Sequence, residues 1–226
     1  PNFSNRIWPW HKRLQPPGVR AYQLPPLNAL VVSQAHYDHL DIFSYKYFKS
    51  TVPIIVPKGL GKFVRKFLEN AVTELEPGGT HREFETTIHS VPTMKYGYRH
   101  LPLRYRAATG FVFQGPQGTA YFPGDTGYGP HFSEIGKKFN IDVALLPIQA
   151  NGHGAGPKSS LNPLKALQAL EDLDAKLMIP TQWDAFKLGK RPPEECVTEL
   201  KELAQQRDMA DKICVLQPGD SFQRDS

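Results

Sequence analysis

Apolar and polar positions change period several times along this chain, and each change predicts a different element. Leu30-Val31-Val32-Ser33 is a short apolar run that predicts a buried strand, and Pro53-Ile54-Ile55-Val56-Pro57 predicts a second strand bounded by prolines. From Gly59 to Leu68 the apolar residues fall at 60, 63, 64, 67 and 68, the spacing of one helix face. Alternation over Glu83–Val91 predicts a half-buried strand. Thr109–Gln114 and Thr119–Phe122, joined by Gly115-Pro116-Gln117-Gly118, predict a hairpin. A helix over His131–Phe139 and a fully buried strand over Ile141–Ile148 follow. Asn162 is placed to cap a helix running through Leu173, with Leu164, Leu167, Ala169 and Leu170 inward. The remaining pattern predicts a strand over Lys176–Pro180, a helix over Pro192–Arg207 opening with proline in its first turn, and a last strand over Ile213–Leu216.

Strands come early and in hairpins, then alternate with helices, which implies an α/β fold with a mixed β-core covered by helices. No repeat and no linker interrupts the pattern, so residues 1–226 read as one domain. Pro1–Pro26 stands apart as aromatic, basic and proline-rich, and predicts an irregular loop segment, because proline removes backbone donors.

Composition narrows the picture modestly. Apolar residues make up 40% and charged residues 22%, which is ordinary for a globular chain, and no apolar run approaches membrane-spanning length. The net charge of +5 is compatible with an anionic substrate, a membrane surface or a nucleic acid, but also with a merely solvated surface. Lys62, Arg65 and Lys66 form the one basic helical cluster, too little to imply a nucleic-acid partner. Trp8, Trp10, Lys12 and Arg13 could contact lipid or pack on their own domain. Cys196 and Cys214 have neither metal-type spacing nor a disulfide framework, which favours an intracellular compartment.

Chemistry concentrates in two blocks. Ser33-Gln34-Ala35-His36-Tyr37-Asp38-His39-Leu40-Asp41 directly follows a buried strand. Ala120-Tyr121-Phe122-Pro123-Gly124-Asp125-Thr126-Gly127-Tyr128 ends another. The first resembles the His-x-His-x-Asp-His signature of the metallo-β-lactamase superfamily, with Gln34 in its first position. The second resembles the block that supplies the family's bridging Asp. Leu161-Asn162-Pro163 and Ile179-Pro180-Thr181-Gln182-Trp183-Asp184-Ala185-Phe186 continue in the same order. Together they are similar to the branch containing N-acylphosphatidylethanolamine phospholipase D and the ascorbate-6-phosphate lactonases.

The resemblance implies an αββα sandwich and a two-metal hydrolytic centre, and the departures from it bear on activity. Its first metal site uses three histidines, which align here with Gln34, His36 and Lys95. Its second aligns with Asp38, His39, Gln182 and Asp125, and a further active-site histidine aligns with Ser160. Asp38 and Asp125 are then the catalytic candidates. His36, Asp38, His39, Asp125 and, weakly, Gln182 are the metal candidates, while Gln34, Lys95, Ser160 and Gln182 are degenerate ligand positions. An amide is a poor zinc ligand, and a lysine ammonium offers donors without a lone pair. At about 4 Å from a dication it is repelled by roughly 8 kcal/mol. Lys95 could instead neutralise Asp125 and Asp38, or point to solvent. His153, in a glycine-rich loop, could replace a lost ligand or be an ordinary loop histidine.

The expectation is therefore a pseudoenzyme acting as a binding or structural subunit, holding no metal or at most one divalent ion, zinc by resemblance. Its rival is a one-metal hydrolase of phosphodiester, phospholipid or lactone substrates. In the family a β-hairpin precedes the segment aligned with Pro1–Ser4, so an N-terminal segment or a protein partner is expected to complete the first sheet.

Overall fold

The computed structural model describes residues 2–7, 11–94, 108–148, 160–186 and 192–223. Two sheets lie between two layers of helices. The smaller sheet contains β3 (Leu30–Val31), β4 (Ile54–Pro57) and β5 (Val72–Leu75), all parallel, in the order β3-β4-β5. The larger contains β6 (Thr80–Glu83), β7 (Thr86–Val91), β8 (Gly110–Gly115), β9 (Gly118–Phe122), β10 (Val143–Pro147) and β11 (Leu177–Thr181). Its order is β11-β10-β9-β8-β7-β6. A short antiparallel pair, β1 (Arg6–Ile7) with β2 (His11–Lys12), stands outside both.

Why β4 is apolar throughout follows from its position. Ile54 and Val56 face one side and pack with Leu30, Val32, Tyr45, Phe63 and Val64 under helices α1 (Ile42–Tyr45) and α2 (Gly61–Phe67). Ile55 faces the other and meets Leu75, Ile88 and Phe111 between the sheets. A strand buried on both faces loses the polar alternation that marks a half-exposed one. The outer face of the large sheet carries α3 (His131–Lys138), α4 (Pro163–Asp172) and α5 (Pro193–Gln206), through a core that includes Tyr121, Phe132, Leu146, Leu167, Leu170 and Leu200. Asn162 caps α4 as expected, its Oδ1 accepting the Lys165 N–H at 2.9 Å.

Several sequence expectations need correction. The strand over Glu83–Val91 is broken at Phe84, whose φ of 51° makes the tight turn of a β6–β7 hairpin. Alternation continues on both sides of a two-residue turn, so periodicity alone does not reveal it. Ile213–Leu216 forms a single bridge from Ile213 to Met178 rather than a strand. Phe67 meets the Phe63 ring, centroids 5.1 Å apart, but is 43% exposed rather than buried with Leu60 and Val64, and Leu164 is only partly buried. The segment 1–26 is not wholly irregular, since β1 and β2 pair within it.

That segment is fastened to the rest of the fold. The Arg13 guanidinium donates to the carbonyls of Asn2 and Ser4 and lies 4.4 Å from the Phe186 ring centroid. The Phe3 N–H donates to Ser44 Oγ, and Ser4 and Ser44 hydroxyls both donate to the buried Asp41 carboxylate. Asp41 thus ties the start of the chain to the turn that carries His36, Asp38 and His39.

Candidate metal centre

The two motif blocks meet at the ends of β3 and β9. Beyond β3, Ser33 and Gln34 lead into a turn in which the Leu40 N–H donates to the His36 carbonyl, so the side chains of Asp38 and His39 share one side. Beyond β9, Gly124 adopts φ +65° and presses against this strand end. A Cβ on Gly124 would stand 2.6 Å from both Cβ and Oγ of Ser33. Only glycine meets both conditions, left-handed backbone and close approach. Gly124→Ala is expected to cost more than about 2 kcal/mol, combining left-handed strain with the clash, and to loosen Asp125. A urea midpoint unchanged by the substitution would refute this account of the turn.

Asp125 then faces His39 across the gap. His39 Nε2 lies 3.0 Å from Asp125 Oδ1 and 3.4 Å from Asp38 Oδ2, and its Nδ1 lies 3.2 Å from Ser33 Oγ. His36 Nδ1 sits 3.4 Å from the other Asp125 oxygen. Burial opposes charge on His39, but the two carboxylates outweigh it and push its pKa up to about 10. Burial likewise works to raise Asp38, and His39 beside it overcomes this and holds the carboxyl below its ordinary range. In this state both ring nitrogens donate, Nε2–H to Asp125 and Nδ1–H to Ser33. The Ser33 contact is the more general one: it also fixes the tautomer in which Nε2 offers a lone pair to a cation.

Behind Asp125 runs a second set of contacts that the motifs do not announce. Thr93 Oγ1 donates to the Asp125 carbonyl at 2.9 Å, and the Met94 N–H donates to Thr126 Oγ1 at 3.1 Å. The fully buried Thr126 hydroxyl also lies 3.2 Å from His131 Nε2. Burial pushes His131 down to about 4, so it stays neutral as a hydrogen-bonding partner at physiological pH. His131 had no motif to mark it. Its place at the start of a helix following Gly-Asp-Thr-Gly-Tyr-Gly-Pro is the one signal available.

Among the described residues the donor set suits a single cation better than two. Asp38, His39 and Asp125 each present one ligand atom, all within 4.8 Å of one another, which is one imidazole and two carboxylates. The position next to it in the motif does not suit a metal in the same way. Gln34 is 1% exposed, and neither its Nε2 nor its Oε1 has a hydrogen-bond partner among the described residues. Gln182 follows β11 with φ 58° and is partly exposed, and Ser160 precedes Leu161 and α4. Lys95, His100, His153, Trp8 and Trp10 lie outside the described residues.

The fold has known counterparts. A family model described as a beta-lactamase superfamily domain matches residues 4–183, and the chain belongs to the metallo-β-lactamase superfamily. It is 33% identical over 202 residues to an uncharacterized protein of Mycobacterium tuberculosis, covering 86% of this chain and 54% of that one. It is also 33% identical over 214 residues to N-acyl-phosphatidylethanolamine-hydrolyzing phospholipase D 1 of Caenorhabditis elegans, covering 87% of this chain and 60% of the relative. The chain therefore spans a little over half the length of these curated relatives. Among solved structures, an isothiocyanate hydrolase from Delia radicum gut bacteria superposes with a TM-score of 0.76 at 15% identity. The match covers 99% of this chain and 90% of that one, and at this identity it bears on the fold alone. No helix among the described residues is long and apolar enough to cross a membrane.

Proposed function

We propose that this chain is a metallo-β-lactamase-fold protein with a degraded two-metal centre, acting as a binding or structural subunit rather than as a hydrolase. The observation that carries the reading is the pairing of Asp38, His39 and Asp125 with one another, beside a buried amide at Gln34. A two-metal hydrolase uses both cations to generate a nucleophilic water and to stabilise the charge that develops on the attacked centre. With amides at Gln34 and Gln182, an ammonium at Lys95 and a hydroxyl at Ser160, the donor set for two cations is missing. What remains is an imidazolium held between two carboxylates, an arrangement in which one of the two negative charges is met without a metal. A binding role also fits β3, whose Leu30 and Val31 pair only with β4 among the described residues, although just beyond them the Ser33 carbonyl accepts the Thr109 N–H. Its free edge could accept a strand from a protein partner or from an N-terminal segment.

One observation favours a second reading. Asp38, His39 and Asp125 lie close enough to hold a single divalent ion, and His36 Nδ1 is 3.4 Å from Asp125; the family resemblance adds Gln182 as a weak ligand. Zinc is the ion the family resemblance implies; the phospholipase relative suggests a phosphodiester or phospholipid substrate, and the resemblance to lactonases a lactone. In that case the ion supplies Lewis-acid charge and a water of lowered pKa, and the carboxylates orient it.

Metal content and turnover separate the two. The chain, loaded with zinc and desalted, is expected to retain at most one ion and to hydrolyse bis(p-nitrophenyl) phosphate no faster than its Asp125→Asn variant. Two tightly held ions, with turnover that Asp125→Asn abolishes, would defeat the pseudoenzyme reading.

A further inference from the structure

We propose that the outer face of α1 and α2 docks on an anionic lipid bilayer. Phe43 and Tyr47 stand four residues apart, on one side of α1 and its C-terminal end, and they are 72% and 69% exposed. Lys46 lies between them in sequence, its Nζ 5.8 Å from the Phe43 ring centroid, and the exposed Lys49 follows in the same loop. On α2 the exposed Lys62 and Lys66 repeat the pattern, with Lys66 Nζ 5.7 Å from the centroid of Phe67.

The two helices lie over the same side of the smaller sheet. Their inner residues, Tyr45 and Phe48 on one side and Phe63, Val64 and Leu68 on the other, share a single core over β3 and β4. Asn70 ties them further: its Nδ2 donates to the carbonyls of Lys49 at 3.0 Å and Val52 at 2.8 Å. None of the four lysines is committed to an ion pair among the described residues. Glu69 follows α2 as an exposed acid, and the exposed Glu74 accepts the Gly61 N–H at the start of α2, next to Lys62.

Two large rings this exposed are unfavourable in water, even with the Phe3 ring edge-on 6.3 Å from that of Tyr47. A bilayer interface meets both requirements at once. Aromatic rings settle at headgroup depth, and lysines beside them meet lipid phosphates and carboxylates. The cations are spread over two helices rather than lined along a channel, which suits a surface better than a nucleic-acid strand. The face adjoins the Asp38–His39 turn through Asp41, the residue before α1, so docking would bring that edge of the domain to the membrane. This inference does not depend on whether the metal centre is occupied.

The test is co-sedimentation of the 226-residue chain with vesicles of phosphatidylcholine, with or without about one third phosphatidylserine. Binding is expected to the anionic vesicles and to weaken at high salt, where charges are screened within a few ångströms. Lys46→Gln combined with Lys49→Gln should weaken it by roughly 25-fold, taking about fivefold per lysine. Phe43→Ser with Tyr47→Ser should weaken it by about tenfold or more. Lys62→Gln with Lys66→Gln, on the separate helix, tests the same face should either α1 variant fail to fold. Equal binding to neutral and anionic vesicles, or no loss in the folded variants, would overturn the proposal. So would tighter binding to a single-stranded oligonucleotide than to the vesicles.

Discussion

Replacing Gln34, Lys95 and Gln182 together by histidine is expected to tighten zinc binding by about a thousandfold or more. That is on the order of 4 kcal/mol, a fraction of the 10–16 kcal/mol that a complete structural zinc site supplies. The gain comes from three sources at once. Gln34→His exchanges a buried amide, without a hydrogen-bond partner among the described residues, for an imidazole two positions before His36. Lys95→His and Gln182→His exchange an ammonium and an amide for imidazoles at two further positions that the family resemblance aligns with metal ligands and that would complete the Asp38–His39–Asp125 group. Single replacements should each do little, because ligands of one site act as a unit and their effects do not add. Isothermal titration with zinc, against a competing chelator, measures the difference. A triple variant that binds no more tightly than the parent would mean that these positions do not converge, and the degraded-centre reading would fail with it.

Much of the frame for that experiment was legible in the residues. Buried strands such as Ile54–Val56 announce themselves by being apolar on both faces, and α4 by its Asn162 cap and helical spacing. The convergence of Asp38, His39 and Asp125 followed from two motif blocks at strand ends, 86 residues apart for His39 and Asp125. Other features were hidden for physical reasons. The Phe84 turn uses a left-handed non-glycine residue, which has no compositional mark. α1 is a single turn, and β5, Val72–Leu75, has only one buried residue, so neither gives a sustained period. The supports of the site, Ser33, Thr93, Thr126 and His131, act through hydroxyl and backbone contacts made across the fold. Sequence spacing does not encode contacts of that kind.

In the presence of a chelator, His39→Gln is expected to cost about 3 kcal/mol of stability near pH 6.5, because it leaves Asp38 and Asp125 facing each other without their cation. The pH dependence gives the sharper test. The pKa of His39, pushed up to about 10, lies above its ordinary 6.5. Between those values the folded chain binds a proton that the unfolded chain has lost. Its contribution is complete below pH 6.5 and is lost as the pH rises through 10. Asp38 is shifted the other way, so its share is present above its ordinary value near 3.8 and is lost as the pH falls through its lowered pKa. The triad's stabilisation is therefore greatest between those two ordinary values, and the parent should lose about 3 kcal/mol between pH 6.5 and 9. The His39→Gln variant should show little of that slope. Zinc reverses the sign of the argument: an ion on His39 Nε2 must displace the proton, so zinc-dependent stabilisation should grow with pH over the same range. Urea unfolding of parent and variant at both pH values, with chelator and with zinc, decides between them. A flat profile for the parent in chelator would show that His39 is not held as a cation between the two carboxylates.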